Sequence, residues 1–292
     1  MRVQWPHGPR LVFEVAATPT HNRSLFFYYY PYSIDNNNLN GVLPPEIGML
    51  RTLQNFSVNR NSLGGGLPDR MCFMLQLIVF EARDNMLTGE IPACIGQLSK
   101  SLTFLWLANN AMSGQLPASI AALTKLKELV VDDNLFTGDV TGLFNGLFQL
   151  ETLFLEGNGF TGTLTESFLA GMQKLALVDL STNRFEGSIP LHFFTAMPAL
   201  LLLDLHDNEL TGVIPAIPIE NTMLRFLSIH NNQIRGQIPA SIANLQGLAH
   251  LDGKLLCLSL PCHMPLPSWE CTPTSPAFLR TLPLESKLRV TF

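Results

Sequence analysis

Apolar residues along most of this chain fall at L-x-x-L-x-L, and an asparagine follows three positions after the last leucine of each set. Leu102, Leu105, Leu107 and Asn110 make one set, Leu150, Leu153, Leu155 and Asn158 another, Leu200, Leu203, Leu205 and Asn208 a third. The last two leucines alternate with polar or variable residues, which is the period of a strand with one buried face. The pattern returns every 24 or 25 residues. One short strand per repeat, pairing in parallel with its neighbours, predicts a solenoid in which each repeat is one coil of a stack. Nine such coils extend to roughly 40 Å at about 4.8 Å per strand.

The asparagines form a column without exception: Asn37, Asn61, Asn85, Asn110, Asn134, Asn158, Asn183, Asn208 and Asn232. Hydrophobic burial gives no reason for an amide there. Where the chain turns inward after the strand, backbone N–H and C=O groups lose ladder partners, and a carboxamide, donor and acceptor at once, satisfies them. The spacing predicts that each amide bonds its own turn and the next coil. Four residues on, a glycine recurs at Gly41, Gly65, Gly89, Gly114, Gly138, Gly162, Gly187, Gly212 and Gly236, as expected where a Cβ would clash. An aliphatic residue then points back into the core, as at Leu43, Ile91, Ile189, Ile214 and Ile238. Proline follows in seven repeats (Pro44, Pro68, Pro92, Pro117, Pro190, Pro215, Pro239), with Thr141 and Thr165 in the other two. It presets φ for a short helical turn on the convex side. Ile47, Ile95, Ile120, Phe144, Phe168, Phe193 and Ile242 complete the convex core. Where the period is 25, the extra residue is expected in these outer loops.

The predicted fold is thus an α/β solenoid with a parallel concave sheet and short helical or 3-10 turns on the convex side. Three segments are expected: 1–28 unpatterned and poorly ordered, 29–251 carrying nine repeats and a broken tenth, and 252–292 an irregular tail with proline and cysteine. In the tenth repeat Leu248 and Leu251 are in place, but Gly253 and Leu256 stand where a leucine and the asparagine belong. An irregular cap, stapled by Cys257, Cys262 and Cys271, would account for this tail. A break inside a repeat favours the alternative, a fragment or a gene model that has run into non-coding sequence. Tyr29, Tyr32 and Ile34 make only a poor first strand.

Composition narrows the function. Only 14% of the 292 residues are charged, as fits strands and turns of Leu, Asn and Gly. A net charge of −5, with no basic stripe, argues against nucleic acid as a partner. No apolar run approaches the roughly 20 residues of a membrane helix. Met1 to Ala17 carries Arg2 and Arg10, but Glu14 interrupts the apolar part, so the stretch does not match a secretory signal. Five cysteines assign neither compartment nor pairing, and the two Asn-x-Ser sequons, at Asn22 and Asn55, matter only in a secreted chain.

Residues between the leucines should project from the concave sheet. The middle column reads Ser57, Glu81, Trp106, Val130, Phe154, Asp179, Asp204 and Ser228. Neighbouring strands should gather Phe104, Trp106, Val130 and Phe154 into an exposed apolar patch. Asp132, Asp133 and Glu156 should flank it, with Asp179 and Asp204 on later coils. Aromatic anchors with a polar rim are the composition of a protein or peptide hot spot. The plain alternative is a terminal segment folded over these rings, or rings with no ligand. His206 and His230 fall one coil apart, about 5 Å along the ladder. With Asp204 and Asp207 nearby they could hold a metal, but two histidines without a firm third ligand favour a solvated face, and no metal is assigned. Glu128 and Asp132 read as surface charges. Gly247 to Leu255 fails the phosphate-loop spacing, and no G-x-S-x-G, H-E-x-x-H, C-x-x-C or kinase set occurs, so neither an enzyme nor a cofactor is expected.

The whole repeat, L-x-x-L-x-L-x-x-N-x-L-x-G-x-I-P-x-x-I-x-x-L, resembles the plant-type leucine-rich repeat, closely over Leu77–Leu98 and Leu102–Leu123. The class includes receptor-like kinases, receptor-like proteins and polygalacturonase-inhibitor proteins. The resemblance implies a right-handed superhelix and an extracellular or cell-surface place, the alternative being cytoplasmic. It implies peptide, steroid-like, receptor or microbial-enzyme ligands, with a co-receptor among the partners. A paired-cysteine N-terminal cap, a membrane helix and a kinase domain are missing, which argues against signalling by this chain alone. Three functions follow: a recognition module, an inhibitor of a secreted hydrolase, or a structural or adhesive repeat protein.

Overall fold

The structure, a computed structural model, describes residues 2–4, 10–12, 34–219 and 223–252. The expectations for Tyr29 and Tyr32, the Asn22 sequon, most of 1–28 and the tail from Gly253, with Cys257, Cys262 and Cys271, lie outside the described residues.

Nine parallel strands form the concave sheet, one per coil: Asn55–Ser57, Val79–Glu81, Phe104–Trp106, Glu128–Val130, Thr152–Phe154, Leu177–Asp179, Leu202–Asp204, Phe226–Ser228 and His250–Asp252. The chain is a right-handed solenoid of such coils. Register follows the repeat, so equivalent columns align: Trp106 lies between Glu81 and Val130, and Asp204 between Asp179 and Ser228. The leucines behind the strands, among them Leu105, Leu129, Leu153 and Leu203, have no exposed surface. Apart from the stack, Arg2–Gln4 pairs antiparallel with Arg10–Val12.

A second parallel sheet has seven strands, from Asn40–Val42 to Arg184–Gly187. It is built from the Asn-x-Leu-x-Gly stretch that the sequence reads as a turn. Six of the seven bury Leu63, Leu87, Met112, Phe136, Phe160 or Phe185 completely, Gly159–Leu164 buries Leu164 as well, and Asn40–Val42 buries none. One buried residue in most strands is too short an alternation to distinguish from a loop. Phe136 and Phe160 stack at 6.0 Å along this seam.

The asparagine column is the hinge between the sheets. Asn134 Oδ1 accepts the Met112 N–H at 3.0 Å, while its Nδ2 donates to the carbonyls of Val131, Asp132 and Leu107. The same pattern holds from Asn61 through Asn85, Asn110, Asn158, Asn183 and Asn208 to Asn232. The amide thus reaches its own turn and the preceding coil, not the next one as the spacing suggested. Carbonyls of the third-leucine position link consecutive members: Leu107 O accepts from Asn110 and Asn134, Val131 O from Asn134 and Asn158. The column is one continuous ladder.

Two backbone positions per coil lie in the left-handed region. The recurrent glycines all have positive φ, from 69° at Gly65 to 146° at Gly162. That conformation is common to all nine, and the expected clash adds to it in most. A Cβ would lie 2.5 Å from the Glu90 side chain at Gly114 and 2.9 Å from Thr163 at Gly187, whereas at Gly89 and Gly41 it would meet nothing closer than 3.9 Å. The residue before each ladder asparagine is left-handed too, including Arg60, Asp133, Thr182 and Asp207 near φ 50°.

On the convex side, Pro44, Pro68, Pro92, Pro117 and Pro239 immediately precede 3-10 helices, each proline carbonyl accepting the N–H three residues on. In the 25-residue coil after Asn85 the helix Ala93–Leu98 has six residues where the others have five. Ile47, Ile95, Ile120, Phe144, Phe168 and Phe193 are buried, and Ile242 packs against them partly exposed. A disulfide, Cys72–Cys94, joins two neighbouring convex turns. Among the described residues no helix is long and apolar enough to cross a membrane.

Candidate functional site

The strand face divides into three zones. At its centre Phe104, Trp106, Val130 and Phe154 are partly exposed and contiguous through the register of three neighbouring strands. Phe104 and Trp106 meet edge to face at 5.7 Å between centroids. The Arg83 guanidinium lies 4.5 Å above the Trp106 ring, a cation–π contact that the sequence reading did not single out. Among the described residues the buried Trp106 Nε1 has no hydrogen bond of good geometry. Its N–H still favours the ionised Glu128 carboxylate beside it, while burial and the neighbouring carboxylates of Glu151 and Glu81 raise the Glu128 pKa overall.

Towards the first coils the face is a polar network. Glu81 is 2% exposed, accepts from Asn59 Nδ2 and lies 3.5 Å from Arg83 Nη2. Asn59 also bonds Asp35 through its backbone N–H at 2.7 Å, and Ser57 Oγ donates to the same carboxylate oxygen at 2.7 Å. Arg83 is therefore held from beneath by Glu81, with its guanidinium against Trp106.

Towards the last coils the face is acidic, but not as a rim. Asp132, Asp179 and Asp204 are only 4–5% exposed, which corrects the expectation that they project into solvent. Ser57, Glu81 and Ser228 of the same column are buried as well. Flanking-column residues of these coils, among them Val79, Ser181 and Leu202, are buried too, so this part of the sheet is crowded on both sides of the column. Glu156 remains partly exposed. Burial raises the Asp179 pKa well above the ordinary carboxylate value, and the charges of Asp204 and Glu156 add to it, against the Ser181 hydroxyl and N–H that donate to Oδ1. His206 Nδ1 lies 2.5 Å from Asp204 Oδ1. Burial alone would lower the His206 pKa, yet the hydrogen bond and charge of Asp204, with Asp179 and Asp207, raise it. His206 and His230 stack at 4.5 Å between centroids with planes 9° apart.

A family model described as Leucine Rich Repeat matches residues 101–123 and 223–245. No curated protein matches the sequence. Solved structures do. The plant peptide hormone receptor RGFR1 in complex with RGF2 is 26% identical with a TM-score of 0.64, over 76% of this chain and 39% of that one. The Arabidopsis receptor kinase HAESA, in complex with the peptide hormone IDA and the co-receptor SERK1, is 27% identical with a TM-score of 0.67, over 74% of this chain and 36% of that one. A plant ice-binding protein is 27% identical with a TM-score of 0.66, over 76% of this chain and 70% of that one. The chain spans about two fifths of the length of the two receptors. The chain is thus built of leucine-rich repeats of the plant type, as the family model and the receptor ectodomain structures support.

Proposed function

We propose that the chain is a non-enzymatic recognition module whose concave face takes an extended peptide or a protein segment. The apolar anchors are Phe104, Trp106, Val130 and Phe154; Asp132, Glu156, Asp179 and Asp204 border them as acidic groups, with Asp179 holding its proton more tightly than an ordinary carboxylate. The observation that carries this reading is the half-buried aromatic cluster at mid-sheet, with Arg83 clamped on one flank and carboxylates on the other. A ligand with a large apolar side chain would bury those rings, and a cationic group beside it would meet the buried carboxylates. Receptor relatives solved with peptide hormones support the reading, and so does the coverage of 29–251 by the repeat. Placement outside the cell rests on the same relatives and on the Cys72–Cys94 disulfide, since such bonds persist in oxidising compartments. The ice-binding relative shows that the coil itself does not choose a ligand. The competing roles therefore remain hydrolase inhibition and a purely structural or adhesive one.

Display of a random peptide library on the purified chain separates them. A recognition module enriches defined peptides, and Trp106→Ala or Phe154→Ala then weakens each by about 2 kcal/mol or more with the fold intact. Enrichment that survives both substitutions, or no enrichment at all, refutes this face as the site. Loss of binding to a panel of secreted glycosidases in the same variants would instead support the inhibitor.

A further inference from the structure

The two stacked histidines and Asp207 beside them form a cluster that the recognition reading leaves unused. We propose that His206, Asp207 and His230 bind a divalent transition-metal ion such as zinc. One ligand atom from each of the three lies within 4.8 Å of the other two, and His206 Nε2 is 3.6 Å from Asp207 Oδ2. Two imidazoles and a carboxylate suit Zn(II) or Ni(II) and leave a fourth position for water or a ligand group.

The supporting contacts argue for a prepared site. Metal-binding histidines generally give their other ring nitrogen to a fixed partner, which sets the tautomer and the ring orientation. Here His206 Nδ1 is tied to Asp204, itself buried, and His230 Nδ1 lies 3.0 Å from Ser228 Oγ. Both partners stand two residues before their histidine, in equivalent strands, so the ladder repeats the same arrangement twice. With His206 Nδ1 so engaged, Nε2 is the nitrogen that ring turns towards Asp207. Asp207 is placed by its left-handed backbone, φ 51°, and by its N–H to His230 O at 3.1 Å. Ligands around zinc sit about 3.3 Å from one another at bond lengths of 2.0–2.1 Å. The cluster therefore needs to close by roughly 1.5 Å at most, together with a tilt that brings the parallel ring planes to a common point. The Asp207 side chain is 42% exposed and that of His206 18%, so the site opens to solvent for entry of the ion.

The inference is independent of peptide binding. The full chain, freed of metal with a chelator, is titrated with ZnCl2 in a calorimeter and followed by imidazole 15N resonances. Saturable binding is expected, with the Nε2 signals of His206 and His230 shifting together. His206→Gln, His230→Gln and Asp207→Asn should each weaken it at least tenfold. Binding that these substitutions leave unchanged places the zinc elsewhere and overturns the proposal, as does the absence of saturation up to 100-fold excess. Should a variant fail to fold, the resonances of the unaltered chain decide: zinc that shifts neither ring, or only one, refutes the site.

Discussion

Removing the amide at Asn134 is the sharpest test of what holds the coils in register. Its side chain is 6% exposed and makes four hydrogen bonds. In Asn134→Ala the Met112 N–H loses the oxygen it donates to, and an orphaned buried donor costs about 1–3 kcal/mol. The three carbonyls suffer less, because each keeps another donor: Asn110 on Leu107 O, Asn158 on Val131 O and the Asn109 N–H on Asp132 O. Two lost donors at about 0.5–1 kcal/mol each bring the total to roughly 2–5 kcal/mol. Asn134→Asp separates the two halves of the argument. It keeps an acceptor for Met112 but sets a carboxylate against three carbonyl oxygens, each about 3.0–3.1 Å from the former Nδ2. Repulsion at that distance in a buried site outweighs one retained bond, so Asp should destabilise more than Ala at pH 7. Its folded-state pKa would be raised, so the excess is present above that pKa and relieved as pH falls through it. Urea denaturation by circular dichroism gives the totals. Because coils in a stack can unfold separately, hydrogen exchange at the Met112 amide localises the effect. An Asp variant as stable as the parent, or Met112 exchange unchanged in Asn134→Ala, would refute the ladder account.

Three further outcomes follow from the structure. Asp179 has a raised pKa from burial and the charges of Asp204 and Glu156, so it binds its proton more tightly folded than unfolded and costs stability above its folded pKa; Asp179→Asn should raise the denaturation midpoint at pH 8, with the gain shrinking as pH falls towards about 4, where the unfolded side chain titrates too, and a gain independent of pH would contradict this. The Cys72–Cys94 disulfide closes a loop of sequence separation 22, worth about 3 kcal/mol by loop entropy; Cys72→Ala with Cys94→Ala should lower the melting temperature as much as a reductant lowers that of the parent, and a parent indifferent to reductant would show the bond adds nothing. Thr182, exposed and β-branched at φ 51°, is strained where Asn231 occupies the equivalent position of another coil; Thr182→Asn should stabilise by about 1 kcal/mol in the same denaturation assay, and a loss would mean the Thr side chain makes a contact worth more than the strain.

The repeat made the stack legible from residue types alone, because each coil uses the same few positions for the same physical reasons. Leucines buried behind the strands, an amide column at the inward turn and five of the seven prolines, each opening a convex 3-10 helix, stand where the pattern puts them. Two features escaped it. Most strands of the second sheet bury a single side chain, too little alternation to read. The left-handed residue before each asparagine is Arg or Thr as well as Asn, Asp or Gly, so no single residue type marks it.

The face of the sheet depended on three dimensions. Alternation told which residues leave the core, and register told that Trp106, Val130 and Phe154 are neighbours. It could not tell that Asp132, Asp179 and Asp204 sink out of solvent while the rings stay half exposed, since burial on a crowded sheet depends on the sizes of side chains some 24 residues away. Nor could it tell that Asp204 and Ser228 orient two histidines in parallel, or that Arg83 lies on Trp106. Periodicity fixes the backbone because the same local forces recur in every coil. The contacts among variable residues do not recur, so only the folded chain, which sets distances across coils, decides them.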